Sequence, residues 1–344
     1  MSFIANISDD VLKGFYETEC CYFESAHFDI SAPENLQKYR YYRDILVRAG
    51  LSDTPVIDVG CGRGGFLLWL TGNGWQGDCI GVDIDLKSIP ATPAESGRKR
   101  VVAFQEGRAV DLPFQAATRS LLCYFHVLEH IRGVDAVLEE AARVLEDGGH
   151  IMIEVPDAER YGDFPIGTAF WIGIREHVNH FSPKAVCVAL QRQGFEVVSV
   201  ERAMVPTPEF SYPSLVVLAR KGGSGGTEFR SSGEIASFIT GSQQGLKNQA
   251  GTVRAIAAEH GAITFWGCSA ELFSLLPLIG DLRFSICDSS GIKQQCRYRK
   301  SRIMGPSEVP KEGALVIAPY LHGDAIEKAA LELGWPEGAI YRLR

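Results

Sequence analysis

Val56-Ile57-Asp58-Val59-Gly60-Cys61-Gly62-Arg63-Gly64-Gly65 followed by Phe66-Leu67-Leu68-Trp69-Leu70 decides the fold. A short apolar strand runs through a cluster of glycines into an apolar helix. Glycines in such a turn let backbone approach a ligand, and the helix start behind them offers unbonded N–H groups. Gly60, Gly62 and Gly65 satisfy G-x-G-x-x-G. Asp83 stands 23 residues after Gly60, at the end of the next apolar run, where a carboxylate can accept from both hydroxyls of a ribose. By itself this pattern suits a dinucleotide site as well. Asp58, two residues before the first glycine, suits an ammonium group better than a pyrophosphate.

Outward from this loop the chain alternates. Ser31 and Pro33 mark a helix start. The helix carries Tyr39, Tyr41, Tyr42, Ile45 and Leu46, and its tyrosines suit either a lid over the pocket or packing on the sheet. Strands are predicted at Cys79 to Asp83, Val101 to Phe104, Leu121 to Phe125 and His150 to Val155. An amphipathic helix from Val134 to Leu145 is expected to stop at Gly148-Gly149. Strands alternating with helices predict an α/β fold with a parallel sheet covered on both faces. The domain ends differently, with a helix from Pro183 to Gln193 and strands at Phe195 to Val200 and Leu215 to Ala219. No crossover helix joins those two strands, so the last one is predicted to be antiparallel.

Lys221-Gly222-Gly223-Ser224-Gly225-Gly226 reads as a flexible tether. The expected division is a helical lid over 1–50, a ligand-binding domain over 51–221, a linker over 222–227 and a smaller α/β domain over 228–344. Of the 344 residues, 46% are hydrophobic and 22% charged, which excludes a mostly disordered chain. Residues 227–344 hold 13 of the 34 basic and 12 of the 42 acidic side chains, leaving 21 and 30 to the first part. The net charge of −8 therefore sits in the first part, and no nucleic-acid partner is expected. The nine cysteines include no pair two residues apart, so no metal is expected from them. With no apolar run of membrane length and no leader pattern, a reduced, cytoplasmic setting is expected.

The first domain resembles the class I S-adenosylmethionine-dependent methyltransferases over roughly residues 50 to 220. The resemblance is carried by the glycine loop, Gly81-Val82-Asp83-Ile84-Asp85, Asp111-Leu112-Pro113-Phe114, His126-Val127-Leu128-Glu129-His130-Ile131 and Ala142-Arg143-Val144-Leu145-Glu146-Asp147-Gly148-Gly149, in the family's order and spacing. It implies a Rossmann-like seven-stranded sheet, S-adenosylmethionine as cofactor and a small-molecule acceptor. It also implies that Asp58, Gly60 and Gly62 line the methionine part, Asp83 holds the ribose, Gly107-Arg108-Ala109 lies beside the adenine and His126 lies near the methionine. Many relatives have Asp where this chain has Arg108, and arginine cannot accept from the adenine amino group. Asp111 or a backbone carbonyl is left for that task.

Methyl transfer needs an aligned acceptor and often a base. Asp157 follows the fifth strand, and Arg175-Glu176-His177-Val178-Asn179-His180-Phe181-Ser182-Pro183 is the densest polar segment. Similar segments occur in many of these enzymes. His177 is the favoured base, with Glu176 and then Asp157 as the other candidates. His130 and His180 read as structural, and Glu129-His130 lacks the second histidine of a metalloprotease helix.

Beyond the tether, Ala262 to Ser269, Phe284 to Asp288 and Ala314 to Ala318 read as strands of an α/β unit without a full glycine fingerprint. Trp266-Gly267, Asp288, Lys293-Gln294, Gly305-Pro306 and Ala318-Pro319 resemble the C-terminal domain of sugar C-methyltransferases, which act on nucleotide-linked deoxysugars. That resemblance implies a carbohydrate-type acceptor, such as a sugar nucleotide. A small-molecule O-methyltransferase of quinone or natural-product type, or an inactive binding module, are the other readings. The relatives' cysteine-rich zinc segment is lacking here. Lys293, Arg297, Arg299, Lys300 and Arg302 form a cationic run that is either a solvated loop or a diphosphate site.

Overall fold

The computed structural model describes residues 2–3, 29–87, 89, 102–163, 177–206, 211–223 and 234–343. It divides into two compact units, Met1–Arg160 with Glu176–Ser232, and Tyr161–Arg175 with Gly233–Arg344. The segment Tyr161–Arg175 thus counts with the second unit, although sequence order puts it inside the first.

In the first unit the elements are α1 (Pro33–Arg48), β1 (Val56–Val59), α2 (Gly65–Gly72), β2 (Cys79–Asp83), β3 (Ala103–Glu106), β4 (Arg119–Phe125), α3 (Val134–Val144), β5 (Leu145–Pro156), α4 (Pro183–Arg192), β6 (Phe195–Pro206) and β7 (Ser211–Lys221). The seven strands lie in the order β3-β2-β1-β4-β5-β7-β6. β1 to β5 run parallel, and β7 is antiparallel to both β5 and β6. The last strand therefore enters between two others rather than closing the edge. Residues 203 to 214, which carry no helical period, are largely the facing ends of this hairpin.

Both faces of the sheet are covered. On β4, Leu121 and Cys123 join Leu46, Phe66 and Leu70 in one core cluster, while Leu122 and Tyr124 join Val137, Leu138 and Ala141 in the other. This is the two-residue period of a strand buried on both sides. Each wholly buried Leu or Ile stabilises the fold by roughly 1.5–3 kcal/mol. α1 belongs to this interior: Tyr42, Ile45 and Leu46 are buried, and the Tyr42 ring stacks on Phe125 at 4.1 Å. Most of the expected lid segment 1–50 before α1 lies outside the described residues.

Several boundaries differ from the sequence expectation. α3 ends at Val144, not at the glycine pair, because Leu145 turns extended and buries its side chain. Pairing with β4 skips from Leu145 to His150, and Gly148 at φ +80° lets the intervening residues bulge. β3 starts at Ala103, two residues late, and Val101 lies outside the described residues. α4 begins as predicted, with the Ser182 hydroxyl accepting from the Ala185 N–H and Pro183 in the first turn.

The second unit has α5 (Glu234–His260), β8 (Ile263–Trp266), α6 (Ala270–Leu275), β9 (Phe284–Cys287), β10 (Ala314–Ile317), α7 (Gly323–Glu332) and β11 (Ile340–Arg342). Its four strands are parallel in the order β9-β8-β10-β11. No helix among the described residues is long and apolar enough to cross a membrane.

Candidate functional site

The glycine loop leaves β1 at the carboxyl end of the sheet, where open α/β sheets bind ligands. Gly60 has φ +74°, and a Cβ there would come within 2.5 Å of Val127 Cγ2. Gly62 has φ +52°, and its N–H donates to Asp83 Oδ2 at 2.8 Å. Asp83, at the end of β2, thereby fixes the loop. Asp58 is buried inside β1 and makes no ion pair among the described residues. Burial, then the neighbouring Asp83 charge, push its carboxyl well above the usual range. Burial also raises Asp83, partly offset by N–H donors of Gly62, Asp85 and Ile84. Two carboxylates with no ion pair among the described residues, beside glycine backbone, form a place where a positive ligand is favoured. Such a site fits a sulfonium with its ammonium group and a ribose.

Arg108 and Ala109 follow β3. Arg108 bridges Asp111, whose N–H donates to the Arg108 carbonyl at 2.9 Å. His126 follows β4 in the left-handed conformation, at φ +58°. Its Nδ1 lies 2.9 Å from Glu129 Oε1, and its Nε2 lies 3.2 Å from Glu154 Oε2 and in hydrogen-bond contact with the Tyr212 hydroxyl. Glu154 also accepts from the Tyr42 hydroxyl, and from Ser214 Oγ at 2.5 Å. Burial alone would lower His126, but Glu154 and Glu129 hold it up at about 10. Burial would raise Glu129, but His126 first, then His130 and His177, bring it down to about 2.

Asp157 directly follows β5 and is fully buried. Its Oδ2 accepts from Arg202 Nε at 2.5 Å, and its Oδ1 from the Glu159 N–H at 3.2 Å. His177 lies against His130 with ring centroids 4.8 Å apart in an edge contact. Burial, then His130, hold His177 down at about 3, far below the 6.5 on which its expectation as a base stands. Glu176 lies outside the described residues. The structure thus brings His177 together with Glu129 and His130 and sets Asp157 apart with Arg202.

The family model for a methyltransferase domain matches residues 34–200. Residues 34–200 are a methyltransferase domain. The chain is 29% identical over 147 residues to ajmaline N-methyltransferase of Rauvolfia serpentina, covering 38% of this chain and 50% of that one. It is 33% identical over 101 residues to a protein of Oryza sativa subsp. japonica named "Probable tocopherol O-methyltransferase, chloroplastic", covering 28% of each. The chain thus spans half, or about a quarter, of the length of these relatives. Among solved structures, an S-adenosylmethionine dependent methyltransferase from Mesorhizobium loti is 18% identical, with TM-score 0.41, covering 52% of this chain and 96% of that one.

Within the first unit, sequence reasoning gave no site role to Glu129, Glu154 or Tyr212, and it read Tyr42 as lid or packing. A signal existed for Glu154 alone: a lone carboxylate in the apolar run Ile151-Met152-Ile153-Glu154-Val155 is costly unless paired. Outside that unit, Asp288 repeats the Asp83 arrangement. Its Oδ2 accepts from the Cys268 N–H at 2.7 Å, across from the turn after β8. Here the chain supplies its own cation, since Lys293 Nζ lies 3.4 Å from that same oxygen. Of the cationic run, Arg299 and Arg302 line a hollow of about 240 Å³ with Arg283, Tyr298 and Phe284, whereas Arg297 is not part of its lining.

Proposed function

We propose that this chain transfers the methyl group of S-adenosylmethionine to a small-molecule acceptor of carbohydrate type that carries an anionic group such as a diphosphate. The observation that carries the donor half is the buried Asp58 beside an Asp83 that grips the Gly62 N–H. In this reading Asp58 meets the ammonium, Gly60 and Gly62 lie along the methionine part, and Asp83 accepts from the ribose hydroxyls. Arg108 and Ala109 border the adenine, and His126, charged and locked between Glu129 and Glu154, faces the methionine carboxylate. His177 stands at the acceptor as a neutral lone-pair donor, and Glu176 takes the acceptor proton. The acceptor atom bonds to the methyl carbon as the carbon–sulfur bond breaks, its electron pair staying on sulfur. Asp157, paired to Arg202, is a candidate for the proton only if that pair opens. Cys61, Cys123, Cys187, Cys268, Cys287 and Cys296 are free thiols, which supports a reduced cytoplasmic setting.

The anionic group of the acceptor is argued from the arginine-lined hollow of the second unit by itself, where guanidinium groups and an aromatic ring suit a phosphate beside a flat base. Changing Arg299 and Arg302 together to Ala should raise the acceptor KM at least roughly tenfold, the loss of about one charge-assisted hydrogen bond, and leave cofactor affinity unchanged. Equal kinetics would return the run to a solvated loop. A second reading, a natural-product N- or O-methyltransferase, is favoured by the names of the matched relatives. Mass spectrometry of a panel holding sugar nucleotides, quinols and alkaloid amines decides between them. A gain of one methyl on a sugar nucleotide, lost in Glu176→Gln, is the expected result. Methylation confined to quinols or amines would overturn the carbohydrate reading, and no methylation by a protein that binds cofactor would favour a binding module.

A further inference from the structure

We propose that Glu129, His130 and His177 form a binding site for one divalent transition-metal ion of the zinc type. Two imidazoles and one carboxylate are the donor set of three-ligand sites that keep a position open for substrate. One ligand atom from each of the three lies within 4.8 Å of the others. A zinc ion bound at about 2.0–2.2 Å would hold tetrahedral donors roughly 3.4 Å apart, so small side-chain rotations close the site.

A second observation points to a ligand. Glu129 is fully buried, yet only Oε1 is engaged, by His126, and Oε2 has no hydrogen-bond partner among the described residues. His177 Nδ1 is likewise buried without a partner. Buried polar atoms in native proteins are nearly always satisfied, so two orphans in one cluster call for a shared partner. The edge contact of His130 on His177 accounts for their packing but satisfies neither atom.

The surroundings are those of a built site. His126 orients the Glu129 carboxylate and is itself braced by Glu154. Glu129 and His130 sit on the short turn Leu128–His130. Asn179 Nδ2 donates to the Leu128 carbonyl at 3.1 Å and to the Ile131 carbonyl at 2.6 Å, tying that turn to the segment that carries His177. Val127, one residue before the turn, packs over Gly60 of the cofactor loop. An ion here would leave coordination positions for an oxygen of the acceptor. That last clause rests on the proposed methyl transfer; ion binding does not.

The test is titration of the full chain, stripped by chelator, with Co²⁺ followed by visible absorption, and with Zn²⁺ followed by calorimetry. One equivalent of Co²⁺ should give ligand-field bands that Zn²⁺ abolishes. His177→Ala should weaken Zn²⁺ binding at least roughly tenfold while S-adenosylmethionine affinity holds, and Glu129→Gln should weaken Zn²⁺ binding by as much. His130→Asn serves as a third variant should the buried Glu129→Gln fail to fold. A wild-type protein without the bands, or folded His177 and His130 variants that bind Zn²⁺ as the wild type does, would overturn the site. Zn²⁺ bound by these residues with no acceptor methylated leaves the ion site standing and removes the acceptor reading. Methylation at full rate by metal-free protein that binds no Zn²⁺ does the reverse.

Discussion

Asp83→Ala should weaken S-adenosylmethionine binding by about 10- to 150-fold. A hydrogen bond to a charged carboxylate contributes about 1.5–3 kcal/mol, and its loss converts to that range. The carboxylate acts twice here. In the proposed reading it offers oxygens to the ribose, and it holds the glycine loop through the Gly62 N–H at 2.8 Å. Without it the left-handed backbone at Gly60 and Gly62 loses its restraint, so the cofactor would have to order the loop as it binds. Calorimetry on a variant with wild-type circular dichroism measures the effect. Unchanged affinity in such a variant would remove Asp83 from the ribose.

Arg202→Leu should destabilise the first unit by about 3 kcal/mol, because it strands a fully buried charge on Asp157. For a unit of this size that is a fall in Tm of about 10 °C. Asp157→Asn placed on top of Arg202→Leu should recover much of the loss, since the stranded charge is then gone. The outcome also bears on catalysis. A carboxylate whose two oxygens are committed to Arg202 and to the Glu159 N–H is poorly placed to take a proton from an acceptor. If Arg202→Leu melts like the wild type, Asp157 is not held by this pair and returns as a candidate base.

The glycine loop, the carboxylates Asp58 and Asp83, the run of parallel strands and the Ser182-Pro183 helix start were legible in the sequence because each is a local device. Chain geometry favours a glycine where φ is positive and a hydroxyl at a helix start, and ligand chemistry favours a carboxylate at a strand end. The hairpin of β6 and β7 was legible too, since no crossover segment separates the strands, but not that β7 would insert between β5 and β6. Which strand takes an inner place depends on which is apolar on both faces: Leu215 to Ala219 are all buried, whereas in β6 Phe195 and Val205 are buried and the rest are half-buried or exposed.

The partnerships around His126 and His177 were not legible, and the reason is distance along the chain. His126, Glu154, Tyr42 and Tyr212 come from four elements, and His177 meets Glu129 and His130 from 47 residues away. No local spacing encodes such a meeting. The ordinary pKa of histidine gave His177 the role of base, while burial and His130 remove it from the neutral range and Glu154 with Glu129 keep His126 charged. Residue type and local spacing, which the sequence determines by itself, set the fold and the cofactor loop. Charge state and partnership arise from desolvation and from neighbours that only the closed tertiary structure brings together.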